Sequence, residues 1–162
     1  CALPISYRNA EGKPDVTIIL KLTEEGEFLA AVAPWAWPLA EHKPHERLAV
    51  CEAVARLQGR LKLIRFDLGD DWVLRPNIEI PLESATLQPE QLHRAIAGVL
   101  YAIRHCDRVF RHAIETGEVK VELADSDQPA EGETPPADRP PDVGRILEIA
   151  DQAGGKIGRA HV

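Results

Sequence analysis

Val16, Ile18, Leu20 and Leu22 alternate with Thr17, Ile19, Lys21 and Thr23, a period of two that turns one apolar strand face toward a core. Leu3 to Arg8 reads as a shorter strand before it, and the turn-forming run Asn9-Ala10-Glu11-Gly12-Lys13-Pro14 joins the two as a hairpin. Glu24-Glu25-Gly26 makes the next connection. Phe28, Ala30 and Val32 then resume the alternation on a third strand expected to reach Trp37. Three consecutive antiparallel strands form a meander.

The period changes after Pro38 to Pro44. Leu48, Cys51, Val54, Ala55 and Leu57 recur at steps of three and four, which predicts an amphipathic helix with those residues inward, ended by Gly59 in a left-handed conformation. Leu61 to Leu68 reads as a strand through Ile64, Phe66 and Leu68, Gly69-Asp70-Asp71 as a turn, and Trp72, Leu74, Ile78 and Ile80 as the returning strand. Pro76 has no N–H to give a ladder, so that strand is expected to be bulged or to lie at an edge. Pro89 suits the first turn of a second helix. Leu92, Ile96, Val99, Ile103, Cys106, Phe110 and Ala113 keep one stripe along it. At 1.5 Å per residue, Pro89 to Ile114 would span about 39 Å, enough to cross the sheet.

The expected fold class is therefore α+β: a five-stranded antiparallel sheet, in the order β-β-β-α-β-β-α, with its helices on one face. That order resembles the bacterial YbjN-type family, as do Leu61-Lys62-Leu63-Ile64-Arg65-Phe66-Asp67 entering the second hairpin and Ile80-Pro81-Leu82 leading through Leu87-Gln88-Pro89-Glu90-Gln91-Leu92 into a long last helix. The match covers roughly Ile5 to Gly117. Members are classed among sensory-transduction regulators, with a fold like that of type III secretion chaperones. The resemblance implies an interaction module with no catalytic residues to carry over, and a helix before the first strand that this sequence does not begin with. Gln58 stands where the family often has asparagine, and Gln88, with Thr86 nearby, where it prefers threonine or serine.

Composition adds limits. The 162 residues are 44% hydrophobic and 5% aromatic, the profile of one globular domain, residues 1–123, with an aliphatic core. No apolar run approaches the roughly 20 residues of a membrane-spanning helix. A net charge of -7 disfavours nucleic acid and anionic membrane surfaces as partners. Ala124 to Asp142 holds five prolines, six acids and one arginine, and is expected to be a disordered linker. Residues 143–155, with Ile146, Leu147, Ile149 and Ala150, then read as a short helix cut off early. There is no methionine, so the start is expected to be missing, and Ile157 to Val162 matches the translation of a sequencing adapter. Residues 156–162 are accordingly set aside. Three cysteines, Cys1, Cys51 and Cys106, without a Cys-x-x-Cys pair, fit a reducing compartment, and cytoplasm is the expectation.

Candidate chemistry is sparse. Trp35 and Trp37 alternate at the end of the third strand, so both rings are expected on one side, where large aromatics anchor interfaces. Arg104, Arg108 and Arg111 fall at helical spacing away from the apolar stripe, where they could grip an acidic segment, including the chain's own linker. His42 and His45, flanked by Glu41 and Glu46, give a compact His-x-x-His grouping short of the usual zinc ligand count, which the aspartates near Asp70 would have to complete. Asp67, Asp70 and Asp71 surround a glycine turn, which turn geometry alone selects. Cys51 and Cys106 are expected to be buried and inert. No phosphate loop, dinucleotide fingerprint or nucleophile elbow occurs, so no cofactor is expected.

The expectation is a non-catalytic protein-binding module, chaperone-like or an adaptor, whose partner is a client polypeptide or a second copy in a homodimer. Trp35 and Trp37 would anchor it, with Arg104, Arg108 and Arg111 as further contacts. The alternative is a small metal-dependent hydrolase built on His42, His45 and the nearby acids.

Overall fold

The computed structural model describes residues 2–8, 14–82 and 87–127. Its elements run β1 (Ala2–Arg8), β2 (Pro14–Thr23), β3 (Phe28–Val32), β4 (Trp37–Pro38), α1 (Pro44–Gln58), β5 (Arg65–Leu68), β6 (Val73–Pro81) and α2 (Pro89–Thr116). A 3-10 turn over Val121–Asp127 follows. The class is α+β, an antiparallel sheet with two helices packed against it.

β1, β2 and β3 form the expected meander, with Leu3 opposite Leu20 and Leu22 opposite Leu29. β6 lies at the centre of the remainder. β3 pairs with its second half and β4 with its first, while β5 takes the opposite edge. This corrects the reading of Pro76, which is fully buried in a central strand. The Pro76 carbonyl accepts from the Ala33 N–H at 3.2 Å, so the proline's backbone faces the edge along which β3 has just ended. Pro34 to Ala36 leave the ladder there. The missing donor thus falls opposite the gap, where no regular partner waits for it.

The same gap breaks the period of the third strand, which stops at Val32 instead of reaching Trp37. The fifth strand is also shorter than expected, because residues 61–63 bend before Arg65. Gly59 does not take the left-handed conformation: its φ is -69°, and the chain leaves α1 through a turn in which the Arg60 N–H donates to the Leu57 carbonyl.

Ile18, Leu20, Leu29, Ala31, Leu74 and Ile78 form the inner face of the sheet, and Leu92, Ile96, Val99, Cys106 and Phe110 of α2 close over it. The α2 stripe matches expectation except that Ile103 is half-buried. Gln88 caps this helix by the pattern its sequence allows, its N–H donating to Gln91 Oε1 at 2.9 Å. Gly117 at the other end has φ 72°, the left-handed conformation glycine tolerates.

Residues 124–127 belong to the folded part, with Ala124 buried against the core. Residues 124–127, with which the linker was expected to begin, are therefore part of the described fold. The rest of that linker, the expected helix at 143–155 and the segment 156–162 lie outside the described residues.

Candidate protein-interaction surface

α1 is apolar on two sides. Ala49, Val50, Ala53 and Leu57 face the core, whereas Leu48 is 69% exposed and Cys51 is exposed one turn on. Ala55 extends that outer row at i+7. Of the expected inward stripe Leu48, Cys51, Val54, Ala55 and Leu57, only Leu57 is buried and Val54 half-buried against the core, while Leu48, Cys51 and Ala55 lie on the outer face, so Cys51 is not buried. Eight of the ten residues from Leu48 to Leu57 are apolar, so periodicity had two faces to choose from. The core selected the one with small residues, alanine at positions 49 and 53, which lets α1 approach α2 closely.

Beside the start of α1, Arg47 binds the preceding loop through the carbonyls of His42 at 2.7 Å and Ala40 at 2.5 Å. Its guanidinium lies 4.5 Å from the centre of the Trp72 ring. Trp72 is 40% exposed and has φ 56°, a left-handed conformation unusual for a bulky side chain. Its carbonyl accepts from the Leu39 N–H at 2.7 Å, tying the β5–β6 turn to the loop before α1. Leu68, before the same turn, is also exposed.

The two expected tryptophan anchors part company. Trp35 is 69% exposed, but Trp37 is a core residue at 4%. Trp37 meets Phe110 edge-on at 4.7 Å between ring centres and Phe66 at 6.0 Å. Both would share a side only on an unbroken strand, and the departure of Pro34 to Ala36 from the ladder reverses one of them. The Pro34 carbonyl is held by Arg75 Nε at 3.0 Å, which fixes the Trp35 loop beside β6.

Arg104, Arg108 and Arg111 are exposed on the outer side of α2, as their spacing requires. Arg111 Nε donates to Asp107 Oδ2 at 2.5 Å, and that contact holds its guanidinium even more firmly protonated than usual. His105 is buried and stacks on Tyr101 with 5.0 Å between ring centres.

His42 and His45 both approach Glu46, at 3.6 and 3.8 Å. Glu46 itself accepts the Lys43 N–H at 2.8 Å, which is the main reason its carboxyl titrates below the ordinary range. Asp71 pairs with Arg75, whose hydrogen bond likewise lowers the carboxyl's pKa, and Asp67 accepts from Asn77 Nδ2 at 2.9 Å. The histidines and the aspartates thus serve different partners, a helix start and a β-turn. No group of three or more His, Cys, Asp or Glu side chains able to hold a metal occurs among the described residues. Cys106 is buried in α2, and loss of solvent pushes its thiol up to about 12.

No family model and no curated protein matches the chain. Among solved structures, the crystal structure of the ExsC-ExsE complex is similar over 66% of this chain and 75% of that one, at 18% identity and a TM-score of 0.45. No helix among the described residues is long and apolar enough to cross a membrane.

Proposed function

We propose that the protein is a non-catalytic protein-binding module, an adaptor or chaperone-like unit that works in the cytoplasm and buries the outer face of α1 against a client polypeptide. The observation that carries this reading is the second apolar face of that helix. Scattered exposed leucines are ordinary on a soluble protein. A helix with one apolar row in the core and another in solvent, with Arg47 at its start lying over the exposed Trp72 ring, is the pattern of a surface that spends part of its life covered.

Rigid aromatics are efficient anchors because they bury much area for little lost rotamer freedom. Trp72 has its ring already placed by Arg47, and Trp35 stands on a loop held by Arg75. A second, sequence-tolerant contribution is offered by β1, which among the described residues pairs with β2 along one edge only, so that its other edge could accept an extended segment.

The test uses the full chain purified from cells that produce it, sedimented with whatever accompanies it, alongside Leu48→Glu and Ala97→Glu. Ala97 is exposed on α2. Loss of a defined partner in the first variant and its retention in the second supports the proposal. Equal behaviour of the two variants, or a chain that sediments alone at every concentration, contradicts it.

A further inference from the structure

Four residues other than glycine take a positive φ among the described residues. Glu24 and Glu25 share the β2–β3 turn, where such angles are ordinary. The other two bracket a single strand: Leu63, at φ 64°, precedes β5, and Trp72, at φ 56°, follows it. The Trp72 N–H donates to the Gly69 carbonyl at 2.9 Å, closing a hairpin turn at a position that glycine suits. Both residues are large and apolar, so each Cβ is crowded by its own backbone, and the closed form of β5 carries that strain at both ends.

The segment between them is held unevenly. Ile64 is buried, its carbonyl accepting from Gln58 Nε2, and Phe66 packs on Trp37 and Phe110 at 6.0 and 5.5 Å between ring centres. The other side-chain ties lie at the surface: Arg65 with Glu79 at 2.7 Å, Asp67 with Asn77 at 2.9 Å, and Asp71 with Arg75. Exposed pairs of this kind contribute little each. Trp72, by contrast, is fixed to the body of the fold by Arg47 over its ring and by the Leu39 N–H on its carbonyl. The register tells which backbone bonds part together. Gly69 donates to the Val73 carbonyl at 3.2 Å, so Asp67 opposite Arg75 and Arg65 opposite Asn77 are the hydrogen-bonded pairs. On the other side of β6, the Leu82 N–H donates to the Glu27 carbonyl, which makes Ile80 opposite Leu29 and Ile78 opposite Ala31 the bonded pairs with β3.

We propose that residues 63–71 form a strap that opens from β6 as one unit while the rest of the fold stays closed, turning about Leu63 and Trp72. Opening relieves the strain at both hinges, makes the stretch from Val73 to Asn77 a sheet edge, and uncovers the sides of Trp37 and Phe110 that Phe66 covers. The strap contains none of Leu48, Cys51 and Ala55, so it stands or falls separately from the binding face of α1.

The experiment is native-state hydrogen exchange on the full chain, read by NMR at a series of urea concentrations below the unfolding transition. The amides of Arg65, Asp67, Gly69, Arg75 and Asn77 should share one exchange free energy with a shallow dependence on urea, while those of Ile78 and Ile80 exchange more slowly and follow global unfolding. Two variants separate the strap from the rest. Ile18→Val, in the core on β2, should speed Ile78 and Ile80 by roughly 2- to 12-fold and leave the strap amides unchanged. Leu63→Gly should slow the strap amides by about 2- to 5-fold, because it removes strain from the closed form. Strap amides that accelerate in Ile18→Val as much as Ile78 and Ile80 open only with the whole molecule, which overturns the proposal. Exchange free energies that differ from one strap amide to the next, or strap amides indifferent to Leu63→Gly, overturn it as well.

Discussion

The indole Nε1 of Trp37 donates to Asp107 Oδ1 at 3.1 Å, joining residues 70 positions apart. This bond fastens the short strand β4 to the middle of α2, and the other oxygen of the same carboxylate receives Arg111. Trp37→Phe should keep most of the aromatic packing but strand a partly buried carboxylate oxygen, costing about 1–3 kcal/mol of unfolding free energy in urea titrations. Asp107→Asn keeps the acceptor and loses only an exposed ion pair, so it should cost about 0–1 kcal/mol.

Gly98 lies on α2 over the sheet, and a Cβ placed there would come within 2.5 Å of Ile78 Cδ1. Alanine in its place gains about 1 kcal/mol of helix propensity and loses a comparable amount to crowding. Gly98→Ala should therefore change the melting temperature little by itself. Combined with Ile78→Val, which removes the crowded methyl, it should recover part of that variant's loss. A double-mutant cycle reads this as a favourable coupling energy.

Leu63 is 78% exposed with φ 64°. A left-handed conformation costs a residue with a Cβ roughly 1–2 kcal/mol, and glycine returns about half of that to the entropy of the unfolded chain. Leu63→Gly is expected to stabilise the protein by about 0.5–1 kcal/mol in thermal or urea unfolding.

Glu46 is the acid-sensitive group at the start of α1. The Lys43 N–H lowers its folded pKa below the ordinary 4.5, with nearby Lys43, His45 and His42 adding to the effect. A depressed folded pKa means stability that is present above the unfolded value and is lost as pH falls through the folded one. The urea midpoints of wild type and Glu46→Gln should differ at neutral pH and converge on acidification. A gap that stays constant down to low pH would show that the carboxylate charge is not what stabilises the cap.

The two helical cysteines should separate under a thiol reagent. Cys51 is exposed and should label in the native protein, whereas the Cys106 thiol, buried and raised to about 12, should label only at the rate of unfolding. Peptide mass spectrometry assigns the label to each site.

Cys51 also shows where sequence reading stops. The strands of the meander and the long helix were legible because Ile18, Leu20, Leu92, Ile96 and Val99 follow one period with polar residues between them. α1 was placed correctly as a helix, but with apolar residues on both sides its inward face was undetermined until α2 was present to pack against it. Trp37 and Pro76 failed for a common cause. Both depend on the departure of Pro34 to Ala36 from the ladder, a tertiary feature that local alternation does not encode. The arginine row was readable from spacing, since a row of cations opposite an apolar stripe has one side to occupy. Trp72 was assigned to a strand, and its role beside Arg47 depends on a turn that brings β6 against the loop before α1.

The most direct test of a covered α1 face is site-specific photo-cross-linking in producing cells, with benzoylphenylalanine in place of Leu48 and, for comparison, of Ala97. Position 48 should give one discrete adduct whose mass identifies a client polypeptide. No adduct at position 48, or the same adducts from both positions, would contradict the claim that this face is where the protein meets its partner.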